Sequence, residues 1–388
     1  MKVDVRIDGE TAVITSDRFK SIQFTSSSSV SSPVMDFALW AILPIAMRVG
    51  GEVECNFPVS KNSLDSARKI ASIWAGWCPE IYSVPDLRIE QIEDSENVGG
   101  KSLTFFSGGV DSTYTALKLK EEGISTDSLT VHGMDFRYYD KTKFQAFLDQ
   151  TLEFRAASFE QSILVRTNVY DIYNSLRCNP LDGHVTHIFA LVASACLFSA
   201  YQNYFIAADY RLDQQYAVHP YGSNTSTNRL IHTSTGRLLT RDDDVTRSYK
   251  TKYIYNSGME LDSLTICKDY NVRPKNCGVC SKCIRTKVMF YVTTGKVPNI
   301  FLDASVPTRW YESIRVGRKI DLVYMADILD AIRQESRQEE LHFDSAYQLW
   351  RDAALSGRAS SPKSVSVQKT SGPFSPKLIS KIIKRTFR

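Results

Sequence analysis

The residues with the clearest chemical potential stand in one short segment, FFSGGVDS at positions 105–112. Two glycines directly after an apolar strand let the backbone turn sharply and approach a ligand closely. A helix starting there points unpaired N–H groups and the positive end of its dipole at that ligand. The segment therefore predicts a phosphate-binding loop, in which Ser107 and Ser112 add hydroxyl donors and Asp111 could hold Mg²⁺. The sequence lacks the Gly-Lys-Ser/Thr ending of a Walker loop, which disfavours a kinase or GTPase of that type.

A second group of reactive residues is the cysteine cluster Cys267, Cys277, Cys280 and Cys283. Four thiolates can close a tetrahedral zinc site, and gaps of two residues let neighbouring sulfurs reach one ion. Such a site would be structural, because it leaves no open coordination position. Two alternatives remain: an iron–sulfur cluster, which also uses Cys-x-x-Cys-x-x-Cys runs, and a redox or sulfur-transfer pair.

Several isolated polar residues are further candidates. Asp135 and Asp209 lie at or just past the ends of predicted strands, where adenine or acceptor contacts are expected, although such aspartates often only form turns. Gly133 joins Asp135 in the predicted nucleotide site, and His184 joins Asp209 as a candidate substrate contact. His184 and His187 share a helix face, but without a third ligand a core and cap role is favoured over a metal pair.

The elements that position these residues alternate regularly from residue 101 onward. Apolar strands are predicted at 103–106, 128–133, 163–169 and 204–210, and helices at 111–122, 141–159 and 185–201. Near-continuous apolar strands separated by helices predict an α/β fold, a parallel sheet with helices on both faces. Ligands of such sheets bind beyond the carboxyl ends of the strands.

Four regions are predicted along the 388-residue chain. They are an α+β extension at 1–100, the loop-containing domain with the cysteines at 101–290, a helical region at 291–356 and a basic, flexible tail at 357–388. The tail carries basic but no acidic residues and ends in a short amphipathic pattern. That pattern suits nucleic acid, an acidic partner or a membrane surface, but a solvated tail is favoured.

Composition excludes several classes of protein. With 43% hydrophobic and 23% charged residues, and only 19 Gly and 13 Pro, the chain is neither collagen-like nor wholly disordered. The charged N-terminus lacks the apolar core of a secretory signal, and clustered cysteines indicate a reducing compartment, so a cytoplasmic location is predicted. The most apolar run, residues 37–47, is too short to span a membrane.

The loop in its strand–turn–helix context resembles the signature of the PP-loop ATP pyrophosphatases, which split ATP between the α and β phosphates and adenylate a substrate. The order of parts is similar to that of the 7-cyano-7-deazaguanine synthases over residues 101 to about 290. These parts are the loop, Thr251-Lys252, Gly258, Thr265-x-Cys267, and Cys-Gly-x-Cys-x-x-Cys-x-Arg ending at Arg285.

The resemblance implies an adenine nucleotide alpha hydrolase-like fold that uses ATP, Mg²⁺ and a structural Zn²⁺. By resemblance, Lys252 is the post-loop lysine, the four cysteines hold zinc, and the ATP phosphates contact Ser107, Gly108, Gly109, Val110, Asp111 and Ser112. Two family motifs differ here: an Arg-Asn pair falls on His184 and Val185, and Tyr-Pro-Asp-Cys is replaced near residues 219–223. Both departures concern the substrate and leave the ATP chemistry untouched.

The leading hypothesis is an enzyme that adenylates a carboxylic acid, 7-carboxy-7-deazaguanine or a related base, and transfers it to a nitrogen nucleophile. The nucleophile is ammonia or an amine on a protein or nucleic acid held by the flanking regions. Relatives of the synthase occur beside anti-phage defence genes, which makes a defence role a resemblance-based hypothesis, and a homodimer is an open prediction. The alternatives are a tRNA-modifying sulfurtransferase and a partner subunit that binds nucleotide without turning it over.

Overall fold

The computed structural model describes residues 1–94, 100–178, 185–314 and 316–356. Within these ranges ten strands form one sheet, and fourteen α-helices pack around it. The strands are β1 Lys2–Asp8, β2 Thr11–Ser16, β3 Ile22–Ser26, β4 Glu52–Ser60, β5 Asp86–Glu93, β6 Lys101–Phe105, β7 Asp127–His132, β8 Ser162–Thr167, β9 Tyr201–Ala207 and β10 Arg237–Arg241.

The helices are distributed along the whole described chain. They are α1 Asp36–Val49, α2 Lys61–Trp77, α3 Val110–Glu121, α4 Lys141–Gln150, α5 Leu152–Ser158, α6 Val169–Ser175, α7 His187–Ala195, α8 Leu212–Gln215, α9 Thr225–Asn228, α10 Arg247–Asn256, α11 Ser281–Thr294, α12 Trp310–Ser313, α13 Lys319–Gln334 and α14 Phe343–Ser356. No helix in the described ranges has the length and apolar character needed to cross a membrane.

The central strands form the predicted parallel sheet. Strands β10, β9, β6, β7 and β8 are neighbours in that order and run parallel. Counted from β6, this is the order 3-2-1-4-5 of doubly wound sheets, and the direction of the crossovers reverses between β6 and β9. Ligands of such sheets bind in the crevice beyond the carboxyl ends of the two strands at that reversal. The α/β class predicted from the sequence is therefore confirmed.

The sheet does not stop at the predicted boundary near residue 100. Strand β3 pairs antiparallel with β8, placing Phe24 opposite Thr167, and β2, β1, β4 and β5 extend the sheet beyond it. The rings of Trp40 and Trp74, from α1 and α2, lie 6.3 and 5.6 Å from that of Phe189 in α7. Residues 1–94 therefore share one sheet and one apolar core with the central strands.

Two predicted helices are shorter than the sequence pattern indicated. The one predicted over 141–159 is divided into α4 and α5 at Thr151, whose hydroxyl donates to the carbonyl of Phe147 at 2.8 Å. The one predicted over 185–201 ends at Ala195, and β9 already begins at Tyr201. Apolar periodicity continued beyond the helix ends because the flanking residues are also buried.

The C-terminal helices pack against the central domain. The predicted boundary at 290 falls inside α11, whose apolar residues share a cluster with α12, α13 and α14. The backbone N–H of Ser248 in α10 donates to Asp327 of α13 at 3.0 Å. The helices of residues 310–356 are therefore fixed beside α10 and α11. The predicted tail at 357–388 lies outside the described residues.

Candidate functional site

The predicted phosphate loop leaves β6 at the switch point and enters α3. Gly108 has φ +69°, and a Cβ built on it would lie 2.7 Å from a ring carbon of Phe147. Its carbonyl accepts a hydrogen bond from the N–H of Thr265 at 2.8 Å. The hydroxyls of Ser107 and Ser112 are 3.2 Å apart. Since the first N–H groups of α3 have no partner within the helix, the turn presents donors to the crevice.

We expect the two glycines of the loop to respond differently to alanine. Gly108→Ala should destabilise the protein by about 1–3 kcal/mol, because a side chain is strained at positive φ and meets Phe147. Gly109 has φ −79°, and its built Cβ meets only Ser107 Oγ at 3.4 Å, so Gly109→Ala should change stability by under about 1 kcal/mol. Urea unfolding of both variants tests this difference. Equal losses of stability would contradict the described turn.

Asp111, in the first turn of α3, faces two cations from α10. Its carboxylate lies 3.0 Å from a guanidinium nitrogen of Arg247 and 3.7 Å from Nζ of Lys250. Arg247 and Lys250 stand three residues apart and therefore share one helix face. Both side chains are buried, and Lys250 Nζ also donates to the carbonyl of Ala208 just after β9. The switch point thus holds buried positive charge beside the loop.

Lys252, predicted as the post-loop lysine, does not reach the loop. Its ammonium pairs with Glu335 at 2.7 Å, and 43% of its side chain is exposed. Two residues along a helix correspond to a rotation of about 200°, so Lys250 and Lys252 point in nearly opposite directions. The structure therefore places Lys252, the lysine implied by the resemblance, away from the loop. Lys250 is the lysine of this pair that lies beside Asp111.

Asp209 follows β9 at the same edge of the sheet. Burial, reinforced by the negative charge of Asp111, raises the pKa of Asp209 to about 6, although Arg247 and Lys250 oppose this shift. Asp209 therefore lies just past the end of β9, as predicted, and close enough to Asp111 to feel its charge. Its role as a substrate contact remains a prediction.

Asp209→Asn should alter how stability depends on pH. The unfolded chain loses the Asp proton near pH 3.9, whereas the folded protein keeps it to about pH 6. The folded state thus binds more protons between these values, and its stability falls as the pH rises through that window. We expect the ligand-free variant to be about 1–3 kcal/mol more stable than wild type near pH 7.5, with little difference near pH 4. Urea unfolding at both pH values is the measurement, and a constant difference would refute the assignment.

Gly133 and Asp135, predicted nucleotide contacts, have structural partners of their own. Gly133 has φ +115°, and its built Cβ would lie 1.8 Å from the carbonyl oxygen of Thr167. This close approach explains the glycine without any ligand. Asp135, at 45% side-chain exposure, pairs with Arg273 at 3.0 Å. A nucleotide role for either residue remains a prediction.

Of the two candidate histidines, only His187 lies in the part of the chain that the structure describes. His184 lies outside the described residues. His187 opens α7, and its Nε2 is 2.5 Å from the hydroxyl of Ser223. Its ring also lies 5.6 Å from that of Tyr221. The core and cap role favoured for His187 fits these contacts better than a metal site does.

The four clustered cysteines form a candidate metal centre. Their sulfur atoms all lie within 4.8 Å of one another, with Cys267 and Cys280 at 4.0 Å and Cys277 and Cys283 at 3.8 Å. A tetrahedron with metal–sulfur bonds of about 2.3 Å has edges of about 3.8 Å, so these separations suit a single ion such as zinc.

Local backbone geometry supports thiolates in this centre. The N–H groups of Asp269, Cys280 and Cys283 donate to cysteine sulfurs at 3.3–3.5 Å. Hydrogen bonds from Cys267 and Cys283 lower the pKa of Cys280, which also caps the positive end of α11, whereas hydrogen bonding within the cluster raises the pKa of Cys267 and of Cys283, so Cys280 is the thiol that ionises first. The thiolate is the metal-binding form of cysteine. The donor set and its surroundings therefore fit a structural metal.

Residues that the sequence analysis missed hold the two sites together. The buried amide of Asn276 accepts from the N–H groups of Ile266 and Cys267 and donates to the carbonyl of Leu264. It thus fixes the extended segment 264–267, which carries the first cysteine, against the turn carrying the others. Because Thr265 in this same segment bonds to Gly108, the four-cysteine centre and the phosphate loop share one support. An asparagine directly before Cys277 was the only sequence signal for this role.

Comparison of the chain with models of protein families, with curated proteins and with solved structures found no match. The function must therefore be argued from the residues of the site.

Proposed function

We propose that the protein uses ATP to adenylate a carboxylic acid, with release of pyrophosphate, and transfers the acyl group to a nitrogen nucleophile. We further propose that the chain belongs to the PP-loop family and has its adenine nucleotide alpha hydrolase-like fold. The proposed acid is 7-carboxy-7-deazaguanine or a related base. The observation that carries it is the 107–112 loop at the switch point, facing the buried cations Arg247 and Lys250.

The charges suit a reaction that develops negative charge on phosphate. A carboxylate is a poor electrophile, and joining it to AMP gives it a good leaving group while charge accumulates on the α-phosphate and on pyrophosphate. Buried donors with fixed positions stabilise such charge more strongly than water does. Arg247, Lys250 and the N–H groups at the start of α3 are placed to do this.

Asp111 and Asp209 are the residues that would hold Mg²⁺, because carboxylate oxygens are the ligands this ion prefers. When bound, the ion would neutralise charge on the phosphate oxygens. Arg247 pairs with Asp111 at 3.0 Å, and its guanidinium would be placed to contact phosphate once another cation compensates that carboxylate. The four-cysteine centre would take no direct part and would hold the loop's support in place.

The sulfurtransferase alternative needs a free, reactive thiol. Apart from the metal centre, the described cysteines are all buried. Burial raises the pKa of Cys55 and of Cys178 to about 12, which keeps these thiols protonated and poorly nucleophilic. A persulfide would thus have to form within the four-cysteine centre, in competition with a metal ion. These considerations favour adenylation followed by nitrogen transfer.

The test is product analysis with radiolabelled ATP, Mg²⁺ and 7-carboxy-7-deazaguanine. The expected products are AMP and pyrophosphate, formed only with the acid, and mass spectrometry should show an adenylate, amide, nitrile or protein adduct. Asp111→Asn is the inactive comparison and should lose at least about 100-fold in rate. Formation of ADP and phosphate, or the absence of acid-dependent AMP with a panel of aromatic acids, would refute the proposal. The same panel, with ammonia and candidate macromolecules added, identifies the nitrogen donor and tests the defence hypothesis.

A further inference from the structure

A third buried cation, Arg285 of α11, lies beside the cations that face the loop. Its guanidinium carbon is 3.5 Å from the centroid of the Tyr324 ring, and the residue is only 7% exposed. Tyr324 belongs to α13, and its hydroxyl accepts a hydrogen bond from Arg247 at 3.0 Å. One tyrosine of the C-terminal region therefore contacts both guanidinium groups. Arg247, Arg285 and Tyr324 are called the arginine cluster below.

The guanidinium groups of the arginine cluster are only partly compensated by carboxylates. Within the described chain, Arg285 has no carboxylate at ion-pair distance, and Arg247, which is 5% exposed, has only Asp111 at that distance, with the charge of Asp209 farther away. The Nε atoms of both arginines are buried without a hydrogen-bond partner. An unpaired buried charge is costly and buried charges are ordinarily paired, so a bound anion would supply the partner that Arg285 lacks.

The surroundings of the cluster strengthen its pull on a negative group. The ring of Tyr210 lies 5.0 Å from that of Tyr324, and the ring of Tyr221 lies 5.2 Å from that of Tyr210. All three tyrosines are buried and exclude water from one side of the guanidinium groups. In such low-dielectric surroundings, charge-assisted hydrogen bonds become stronger. The planar donors of arginine match the paired oxygens of a carboxylate or a phosphate.

We infer that Arg247, Arg285 and the Tyr324 hydroxyl form a binding site for an oxyanion, a carboxylate or a phosphate, beside Asp111. The C-terminal helix α13 is thereby part of the site, and not only a cover for the central domain. The charge of the ligand follows from the cluster alone. Its identity, as the acid substrate or as a phosphate of the nucleotide, rests on the proposed function.

Titration calorimetry with two probes tests the inference and separates the two sources. Inorganic pyrophosphate represents the phosphate, and 7-carboxy-7-deazaguanine represents the carboxylate. We expect Arg285→Gln to raise the Kd of one probe at least about 10-fold, and the probe that is affected identifies the anion. Arg333→Gln is the matched control, since this guanidinium also lies over a ring, that of Phe343 at 4.7 Å, but on the exposed side of α13. The control should change either Kd by less than about two-fold.

Tyr324→Phe keeps the inference testable if Arg285→Gln fails to fold. This variant keeps the ring under Arg285 and removes only the hydroxyl that contacts Arg247. We expect a rise in Kd of about three- to ten-fold for the same probe, with partial recovery of binding in Arg285→Lys compared with Arg285→Gln. The inference is wrong if the wild type binds neither probe, or if these variants bind both as the wild type does. If the protein forms AMP in the presence of the acid but the variants bind both probes as the wild type does, only the inference is overturned. If binding of a probe depends on Arg285 but no AMP is formed, only the proposed function is overturned.

Discussion

Replacing Cys280 with serine should release the metal and lower the melting temperature of the protein by roughly 10 °C. Cys280 is one of the four clustered sulfurs, accepts a hydrogen bond from the N–H of Cys283 and caps α11. Its loss leaves three thiolates and a weaker site. Because a structural metal contributes its binding free energy to folding, the apo form should unfold at lower temperature.

Metal analysis together with calorimetric melting is the measurement. The control is Cys78→Ser, which makes the same chemical change at a buried cysteine outside the centre and should leave the metal content unchanged. Zinc in the wild type, without visible absorption, would distinguish a single ion from an iron–sulfur cluster. A Cys280→Ser protein that retains the full metal content would show that these sulfurs do not share an ion.

The effect of metal loss should extend to the phosphate loop. Asn276 holds the segment of Cys267, and Thr265 in that segment bonds the carbonyl of Gly108. Val110 of the loop also shares a buried cluster with Cys267 and Cys283, so this support loosens when the cysteine turn does. ATP binding should therefore weaken in the metal-free protein even at temperatures at which the sheet remains folded.

The phosphate loop and the cysteine cluster could be predicted from the sequence because each is formed by residues that are close together along the chain. The strand–turn–helix around Gly108 and the spacing of the cysteines are encoded in a few neighbouring residues, and the structure brings each set together as expected. The parallel strands, and their alternation with helices, were likewise predicted from the pattern of apolar residues along the sequence. The continuation of the sheet through β3 could not be predicted, because the sequence of neither strand indicates which distant strand it pairs with.

The charged partners of the loop could not be predicted in the same way. Arg247 and Arg285 are distant in sequence, and they come together where α10 packs on α11 and Tyr324 of α13 contacts both guanidinium groups. Choosing between Lys250 and Lys252 required the rotation of α10, which depends on contacts with α3 and α13. The resemblance matched a dipeptide rather than a helix face, and it therefore named Lys252, whose side chain points toward Glu335 and not toward Asp111.

Lys250→Met and Lys252→Met form a matched pair with a large expected difference. Both changes remove one ammonium group from α10 and keep a long unbranched side chain. Lys250→Met should lower kcat for acid-dependent pyrophosphate release by about 100- to 1,000-fold, because it removes a buried charge 3.7 Å from Asp111. Lys252→Met should lower it by less than about three-fold, because it breaks only a half-exposed ion pair with Glu335.

A structural effect of the Lys250 change can be separated from a loss of chemistry. Lys250 also donates to the carbonyl of Ala208, so some loss of stability is expected in Lys250→Met. That loss should appear in urea unfolding, whereas the loss of kcat should persist at low temperature and saturating ATP, where the variant is fully folded. If Lys252→Met were the inactive variant and Lys250→Met retained its rate, the phosphate chemistry would have to lie on the Glu335 side of α10. The buried cations at the switch point would then need another explanation.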